Sequence, residues 1–322
     1  MLRAFLAGAL LSVPAVAGDL VFPVDCTLGE TCVIQQYVDR NPGPGIADFT
    51  CGQLTYDGHR GTDIRLPDIA AMDRGVDVLA AAPGRVVGTR DGLADIRQGA
   101  ARAPDISGKE CGNGVLIKRA DGWRFQYCHL KNGSVAVRKG QVVDAGDRLG
   151  QVGLSGKTQF PHLHLTIRDQ AGRVIDPFDT RQQNEACSLK DRRSLWRTLS
   201  PTSYQPGGPL SAGFADAVPE YEAVRAGTGA RASMPTSSDA IVFWAHFFGL
   251  RKGDEVHLTL YDPKGAVLAE DIHRMNRNRA TQFRAVGRRA QQAWPLGTYK
   301  GEADLIRNGS RIDRISAEVI IH

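Results

Sequence analysis

The sequence predicts an all-β protein, with an antiparallel sheet domain followed by a small β-sandwich-like domain. Three observations carry that expectation. Residues 18–190 consist of short β-like runs between glycine-rich turns, such as Gly84-Arg-Val-Val, Gly114-Val-Leu-Ile-Lys and Trp123-Arg-Phe-Gln-Tyr, with no long helical periodicity. Residues 191–235 shift to a linker composition around Ser200-Pro-Thr-Ser-Tyr-Gln-Pro-Gly-Gly-Pro, and a short helix is expected at the start of this stretch, over Leu189–Leu199. Residues 236–322 return to strand patterning at Ile241-Val-Phe-Trp, Val256-His-Leu-Thr-Leu-Tyr, Ala266-Val-Leu-Ala and Ile315-Ser-Ala-Glu-Val-Ile-Ile, with turns at Asp262-Pro-Lys-Gly and Arg307-Asn-Gly-Ser.

The first 17 residues read as a secretory signal. Arg3 supplies a positive start, Ala4 to Val13 an apolar run too short to span a bilayer, and Ala15-Val16-Ala17 a small-residue cleavage box. No other long apolar stretch exists, so no transmembrane segment is expected after cleavage. The composition, 42% hydrophobic and 23% charged over 322 residues, excludes disorder throughout and allows two cores. The net charge of +5, or +4 without Arg3, suits an anionic wall or membrane surface and lacks the basic stripe of a nucleic-acid binder.

Six cysteines, at 26, 32, 51, 111, 128 and 187, form an even set in an exported chain, which predicts disulfides. None forms a Cys-x-x-Cys pair, which weakens a cysteine-based metal site. A hairpin turn at Asp121-Gly122 brings Cys111 and Cys128 near opposite positions and predicts a bridge between them.

The chemistry lies in three histidine-bearing segments. In His162-Leu-His164-Leu-Thr-Ile, strand alternation puts His162, His164 and Thr166 on one face and Leu163, Leu165 and Ile167 on the other. The apolar face packs into a core, and the histidine face lines a surface or groove. His59-Arg-Gly-Thr-Asp63 adds an imidazole and a carboxylate around a glycine that permits a turn. Two histidines and one carboxylate are a common catalytic zinc set with an open position for water. His129 follows the hairpin turn, and simple alternation places it with Trp123, Phe125 and Tyr127, opposite Arg124, Gln126 and Cys128. From there it either overhangs the groove or sits among aromatics. Gly61, Gly153 and Gly156 stand near these motifs, either to let a peptide pass close to the backbone or to make turns. Tyr56 precedes His59 and is either an oxyanion donor or a packing residue. His246, His257, His273 and His322 have no ligand partner in sequence and read as ordinary strand or surface residues.

Together, His59-x-x-x-Asp63, Tyr127-Cys-His129-Leu and Pro161-His-Leu-His164 resemble the lysostaphin and LytM-type zinc endopeptidases. The strand and turn at Val78-Leu-Ala-Ala-Ala-Pro-Gly-Arg-Val-Val, the strand at Cys111-Gly-Asn-Gly-Val-Leu-Ile, the glycine turns of Val137–Gly153 and the closing Asp176-Pro resemble the same family. The match covers roughly residues 52–178. The resemblance implies a β-sheet groove with Zn²⁺ on its floor, His59, Asp63 and His164 as ligands, and His129 and His162 as the catalytic pair. It implies cleavage of peptidoglycan stem-peptide cross-bridges outside the cytoplasm, in the periplasm first and as a secreted enzyme second. In the periplasm the D-alanyl to diaminopimelate bridge is the expected target. Another class of function fits the same fold: a latent module that binds peptidoglycan or activates an amidase. The stretches 64–77 and 89–110 are longer than the family pattern and are expected as loops at the groove rim, where they would narrow or cover the site.

Overall fold

The computed structural model describes residues 18–101, 103–181, 192–199 and 203–322. The expected signal segment, residues 1–17, lies outside them. The strands in chain order begin with β1 (Val33–Gln36), β2 (Thr62–Arg65), β3 (Asp77–Leu79), β4 (Gly84–Arg90) and β5 (Asn113–Lys118). They continue with β6 (Arg124–Leu130), β7 (Val142–Val143), β8 (Arg148–Gln151), β9 (His162–Arg168) and β10 (Val174–Ile175). A single-turn helix, α1 (Ile69–Arg74), interrupts them. The main sheet runs β1-β2-β9-β6-β5-β4-β7, with β10 beside β9, and β3 pairs with β8 in a small second sheet.

Alternation along β9 sets the layers. Leu163, Leu165 and Ile167 are buried in the first hydrophobic core, while His162, His164 and Thr166 face the groove. Each of the three apolar side chains contributes up to about 1.5–3 kcal/mol by leaving water. The neighbours obey the same register. On β2, Ile64 lies opposite Leu163 and points into the core, while Asp63 lies opposite His164 and Arg65 opposite His162. On β6, Phe125 and Tyr127 meet Ile167 and Leu165 in the core, and Gln126 and Cys128 meet Thr166 and His164 on the groove face.

The remaining strands are β11 (Gly208–Ala215), β12 (Ser233–Met234), β13 (Ala240–Leu250), β14 (Glu255–Tyr261), β15 (Val267–Arg274), β16 (Arg279–Arg289), β17 (Gly297–Arg307) and β18 (Ser310–Ile321), with a second short helix, α2 (Tyr221–Ala226), between β11 and β12. They build a three-stranded sheet, β11-β13-β16, and a five-stranded sheet, β12-β18-β17-β14-β15. Phe214, Ile241, Phe243 and Phe247 from one sheet and Val256, Leu258, Leu260, Leu305 and Val319 from the other share a second core. The two-residue turn Asn308-Gly309, both with positive φ (52° and 75°), closes the β17–β18 hairpin as its sequence predicts.

Two expectations need correction. Residues 192–199 contain no helix; Leu20 and Trp196 form a parallel bridge there instead. Leu189 to Asp191 lie outside the described residues. The stretch 191–235 is also not a plain linker, since it contributes β11, α2 and β12. Its glycines and prolines concealed β11, which earns its place by pairing along β13. The two units pack together directly: Leu210 and Phe248 belong to the first core, and Arg225 donates to the Gln159 carbonyl at 2.8 Å.

Cys26–Cys32 and Cys111–Cys128 are disulfides, and Cys51 is disulfide-bonded as well. No helix among the described residues is long and apolar enough to cross a membrane.

Candidate metal centre

The five predicted side chains meet on the groove face of the main sheet. His59 arrives from the turn before β2, Asp63 from β2, His162 and His164 from β9, and His129 from the end of β6. Asp63 Oδ1 lies 2.7 Å from His164 Nδ1, 3.2 Å from His59 Nε2 and 3.6 Å from His162 Nε2. His59 Nε2 and His164 Nδ1 are 3.3 Å apart, and the ligand atoms of His59, Asp63 and His164 all lie within 4.8 Å of one another.

Backbone carbonyls set the ring orientations. His59 Nδ1 meets the Tyr37 carbonyl at 2.7 Å, His129 Nδ1 the Ser155 carbonyl at 2.8 Å, and His162 Nδ1 the Phe160 carbonyl at 2.9 Å. A carbonyl only accepts, so each Nδ1 carries the proton and, in the neutral ring, each Nε2 keeps a lone pair. His164 is turned the other way, with Nδ1 toward Asp63 and Nε2 held by Thr166 Oγ1 at 3.0 Å.

His129 reaches the groove by a route that simple alternation misses. Alternation would send it into the core with Tyr127. The β5–β6 ladder instead skips a residue: Gly114 pairs with Cys128 and Asn113 with Leu130. His129 is the extra residue, at φ 64°. A left-handed non-glycine residue costs about 1–3 kcal/mol, and such bulges re-aim side chains at functional sites. Its N–H donates to the Cys111 carbonyl at 2.8 Å, and the Cys111–Cys128 bridge clamps the bulge from both strands. The groove face of β6 is therefore that of Gln126 and Cys128, not that of the aromatics.

Electrostatics fit this arrangement. Burial would raise the Asp63 carboxyl, but His59, His162 and His164 outweigh it and hold it well below the usual carboxylate range. Burial would lower His59, yet Asp63 and the Tyr37 carbonyl raise it above an ordinary histidine. His129 is held well below the ordinary value by burial and then by the neighbouring imidazoles. His162 is also lowered by burial, with Asp63 partly offsetting the effect. Both of these rings are therefore neutral near pH 7.

The donor set suits a divalent cation of zinc type. Two imidazole nitrogens and one carboxylate oxygen, each fixed by its other contacts, form a half-shell whose remaining side opens to the groove. Ligand bonds of about 2.0–2.2 Å imply ligand atoms about 3.4 Å apart around a tetrahedral ion. Two of the three separations, 3.2 and 3.3 Å, already match, and the third, 2.7 Å, is a hydrogen bond that would open on binding.

The groove encloses about 560 Å³, with Tyr56, Gln126, Lys157 and Arg168 among its walls. A larger hollow of about 980 Å³ lies beyond the His59–Arg60 segment but touches no other histidine of the cluster. Gly61 is required by close approach, because a Cβ there would sit 2.6 Å from the His164 ring. Gly153 and Gly156 press against the backbones of Lys131 and Gly112, so packing rather than passage of a peptide explains them. Tyr56 is half exposed, with its ring 4.5 Å from that of His59 and its phenol pushed up to about 12 by burial and Asp63.

The long stretches behave differently from each other. Residues 64–77 continue β2, then fold into α1, capped by Asp68, with Ala71 and Met72 buried; of these residues only Ile64, Arg65 and Leu66 pair with β9 or the Pro161 that leads into it. Residues 89–110 supply Gln98 and Glu110 to the groove rim. Sequence reasoning missed Arg65, which is buried beside His162. Its guanidinium lies 4.4 Å from the Phe160 ring centre and bonds Gln35, fixing the turn that carries His162. Its position two residues after Asp63 on the same strand face was the available signal.

The sheet groove thus gathers a His-Asp-His cluster, partly open at His164, and two further neutral histidines. Comparison adds a likeness: residues 57–177 match the family model described as Peptidase family M23. The cell division protein DipM of Caulobacter vibrioides is 42% identical over 72 residues, 20% of this chain and 11% of that protein. The peptidoglycan DD-endopeptidase ShyA of Vibrio cholerae is 31% identical over 109 residues, 34% of this chain and 20% of that protein. The matches thus span a fifth or less of these relatives' lengths. The catalytic domain of the prophage-encoded M23 protein EnpA from Enterococcus faecalis, a solved structure, is 25% identical over 44% of this chain and 88% of its own, with a TM-score of 0.30.

Proposed function

We propose that this protein is a zinc-dependent endopeptidase of the cell envelope that hydrolyses peptide cross-bridges of peptidoglycan. The observation that carries this reading is the convergence of His59 Nε2, Asp63 Oδ1 and His164 Nδ1 on one point, with His129 and His162 beside it. Zinc, when bound, supplies Lewis acidity toward the scissile carbonyl and toward a water. His129 and His162 present unprotonated Nε2 atoms, their rings 4.7 Å apart, to take a proton from the attacking water and return one to the leaving amine. Their burial keeps them neutral, which suits them to start as bases. Tyr56, protonated at neutral pH, stands within reach as a donor to the oxyanion. The likeness to ShyA supports peptidoglycan as substrate, and the disulfides support an exported, periplasmic setting.

A latent binding module would need its groove covered. Residues 67–77 turn away into α1, and residues 89–110 build a rim, which favours the enzyme reading. The test is His164→Ala in purified full-length protein. Zinc content and muropeptide cleavage should fall together, and full cleavage by this variant would overturn the ligand assignment.

A further inference from the structure

The groove does not end at the histidines. On its Tyr56 side a second cavity of about 250 Å³ adjoins it, and the two share Gln35, Gln36, Tyr56 and Ala280 as walls. This cavity lies in the seam between the two units. Gln53 and Leu54 of the first unit form one side, and Arg251 and Arg279 of the second form the other. Asn278 ties the seam, donating to Gln53 Oε1 at 2.9 Å and accepting from the Lys252 N–H at 2.8 Å. Arg279 pairs with Leu250 in the β13–β16 register, so Arg251 and Arg279 leave adjacent ends of neighbouring strands.

The charge in this cavity is unbalanced. Among the described residues no aspartate or glutamate lines it. Three arginines of the second unit are paired, Arg307 with Asp254, Arg314 with Asp304 and Glu302, and Arg231 with Asp216, while others, such as Arg288 and Arg289, form no ion pair among the described residues. Among the described residues neither Arg251 nor Arg279 forms an ion pair, and the carboxylate next to Arg251, that of Asp254, is engaged by the Arg307 guanidinium and the Arg251 backbone N–H. Two uncommitted guanidiniums beside glutamine and asparagine side chains make a donor-rich, acceptor-poor recess. Planar guanidinium forks match carboxylate oxygens in particular.

We propose that Arg251 and Arg279 form a carboxylate-binding subsite that takes an acidic group of the peptide lying in the groove. The inference rests on the reading of the groove as a peptide site and extends it: the second unit contributes substrate selection. An extended peptide seated over His129 and His164 passes Tyr56 into the seam, where an acidic side chain or terminus meets the two arginines. A neutral or amidated peptide gains nothing there.

The test is calorimetric titration of the full-length protein with a soluble cross-linked stem peptide and with its fully amidated counterpart. The wild type should bind the acidic form about 10- to 100-fold more tightly, as loss of a charge-assisted contact predicts. Arg251→Gln with Arg279→Gln should bind both forms equally, at the level of the amide, and the matching Arg→Lys pair should recover part of the preference. Thermal melting checks that the variants remain folded. Equal binding of the two forms by the wild type, or a preference that survives the Gln pair, overturns the subsite alone. Failure of either form to bind at all overturns the peptide-groove reading and the subsite with it.

Discussion

Both units of this protein bury histidine in antiparallel sheet, with opposite results. In the first, three imidazoles surround one carboxylate and a fourth, His129, packs against them, and three of the four rings are locked by backbone carbonyls with a lone pair turned to the groove. In the second, His246 on β13 is fully buried, its Nε2 reaches only the Tyr221 hydroxyl at 3.2 Å, and its Nδ1 has no partner. Burial, and after it the charges of Arg65 and Arg225, press its pKa down to about 3, and among the described residues no carboxylate offsets them. Burial is common to both. What separates a candidate metal centre from a packed histidine is the shared anion and the second-atom anchors.

The largest expected effect breaks the comparison at its functional side. His129→Ala should keep stoichiometric zinc and lose about 10²–10⁴-fold in kcat, read by metal analysis beside a cleavage assay. Loss of zinc would make His129 a ligand instead.

Cys111→Ser with Cys128→Ser attacks the frame of the same site. The bridge closes a separation of 17 residues, and its removal should cost about 3 kcal/mol, seen in denaturant unfolding of the first unit. Because the bulge at His129 rests on this bridge, activity should fall further than stability alone predicts.

His246 sharpens the other side. Its folded pKa is depressed below the ordinary 6.5, so its contribution is fully present above about pH 6.5 and is lost as pH falls toward about 3. Between pH 7 and pH 5 the cost is about 2 kcal/mol. His246→Leu should remove that slope from an unfolding series in pH, and an unchanged slope would show that other groups carry it.

Gly61→Ala probes the functional side again, with an effect comparable to that at His246. A Cβ at 2.6 Å from the His164 ring and 2.8 Å from the Leu165 carbonyl must displace the ring and press on β9, so metal affinity should fall about 10- to 100-fold, read by metal titration beside a thermal melt.

Much of this was legible in sequence, for physical reasons that differ by segment. The alternation of His162-Leu-His164-Leu-Thr-Ile assigns both faces of β9 because one face is polar and the other apolar throughout. The Cys111–Cys128 bridge follows from the register of a hairpin with a defined turn. His129 was gathered into the right cluster by the wrong face, since a bulge breaks the two-residue period and leaves no mark in composition. β11 was hidden for a related reason: Gly208-Pro-Leu-Ser-Ala-Gly has low strand propensity and is held by β13 rather than by its own residues. β16, rich in arginine, hid in the same way, and with it the seam that places Arg279 beside the groove. Contacts between units far apart in the chain have no local signature.

The proposed enzyme depends on the cluster on the β2–β9 face holding an ion and cutting peptide with it. Purified sacculi digested by the zinc-loaded protein, with products read by mass spectrometry in the presence and absence of a chelator, test that dependence most directly. New peptide termini should arise, vanish with chelator and return when zinc is restored. Termini that persist through metal removal, or stoichiometric zinc with no new termini at all, would contradict it.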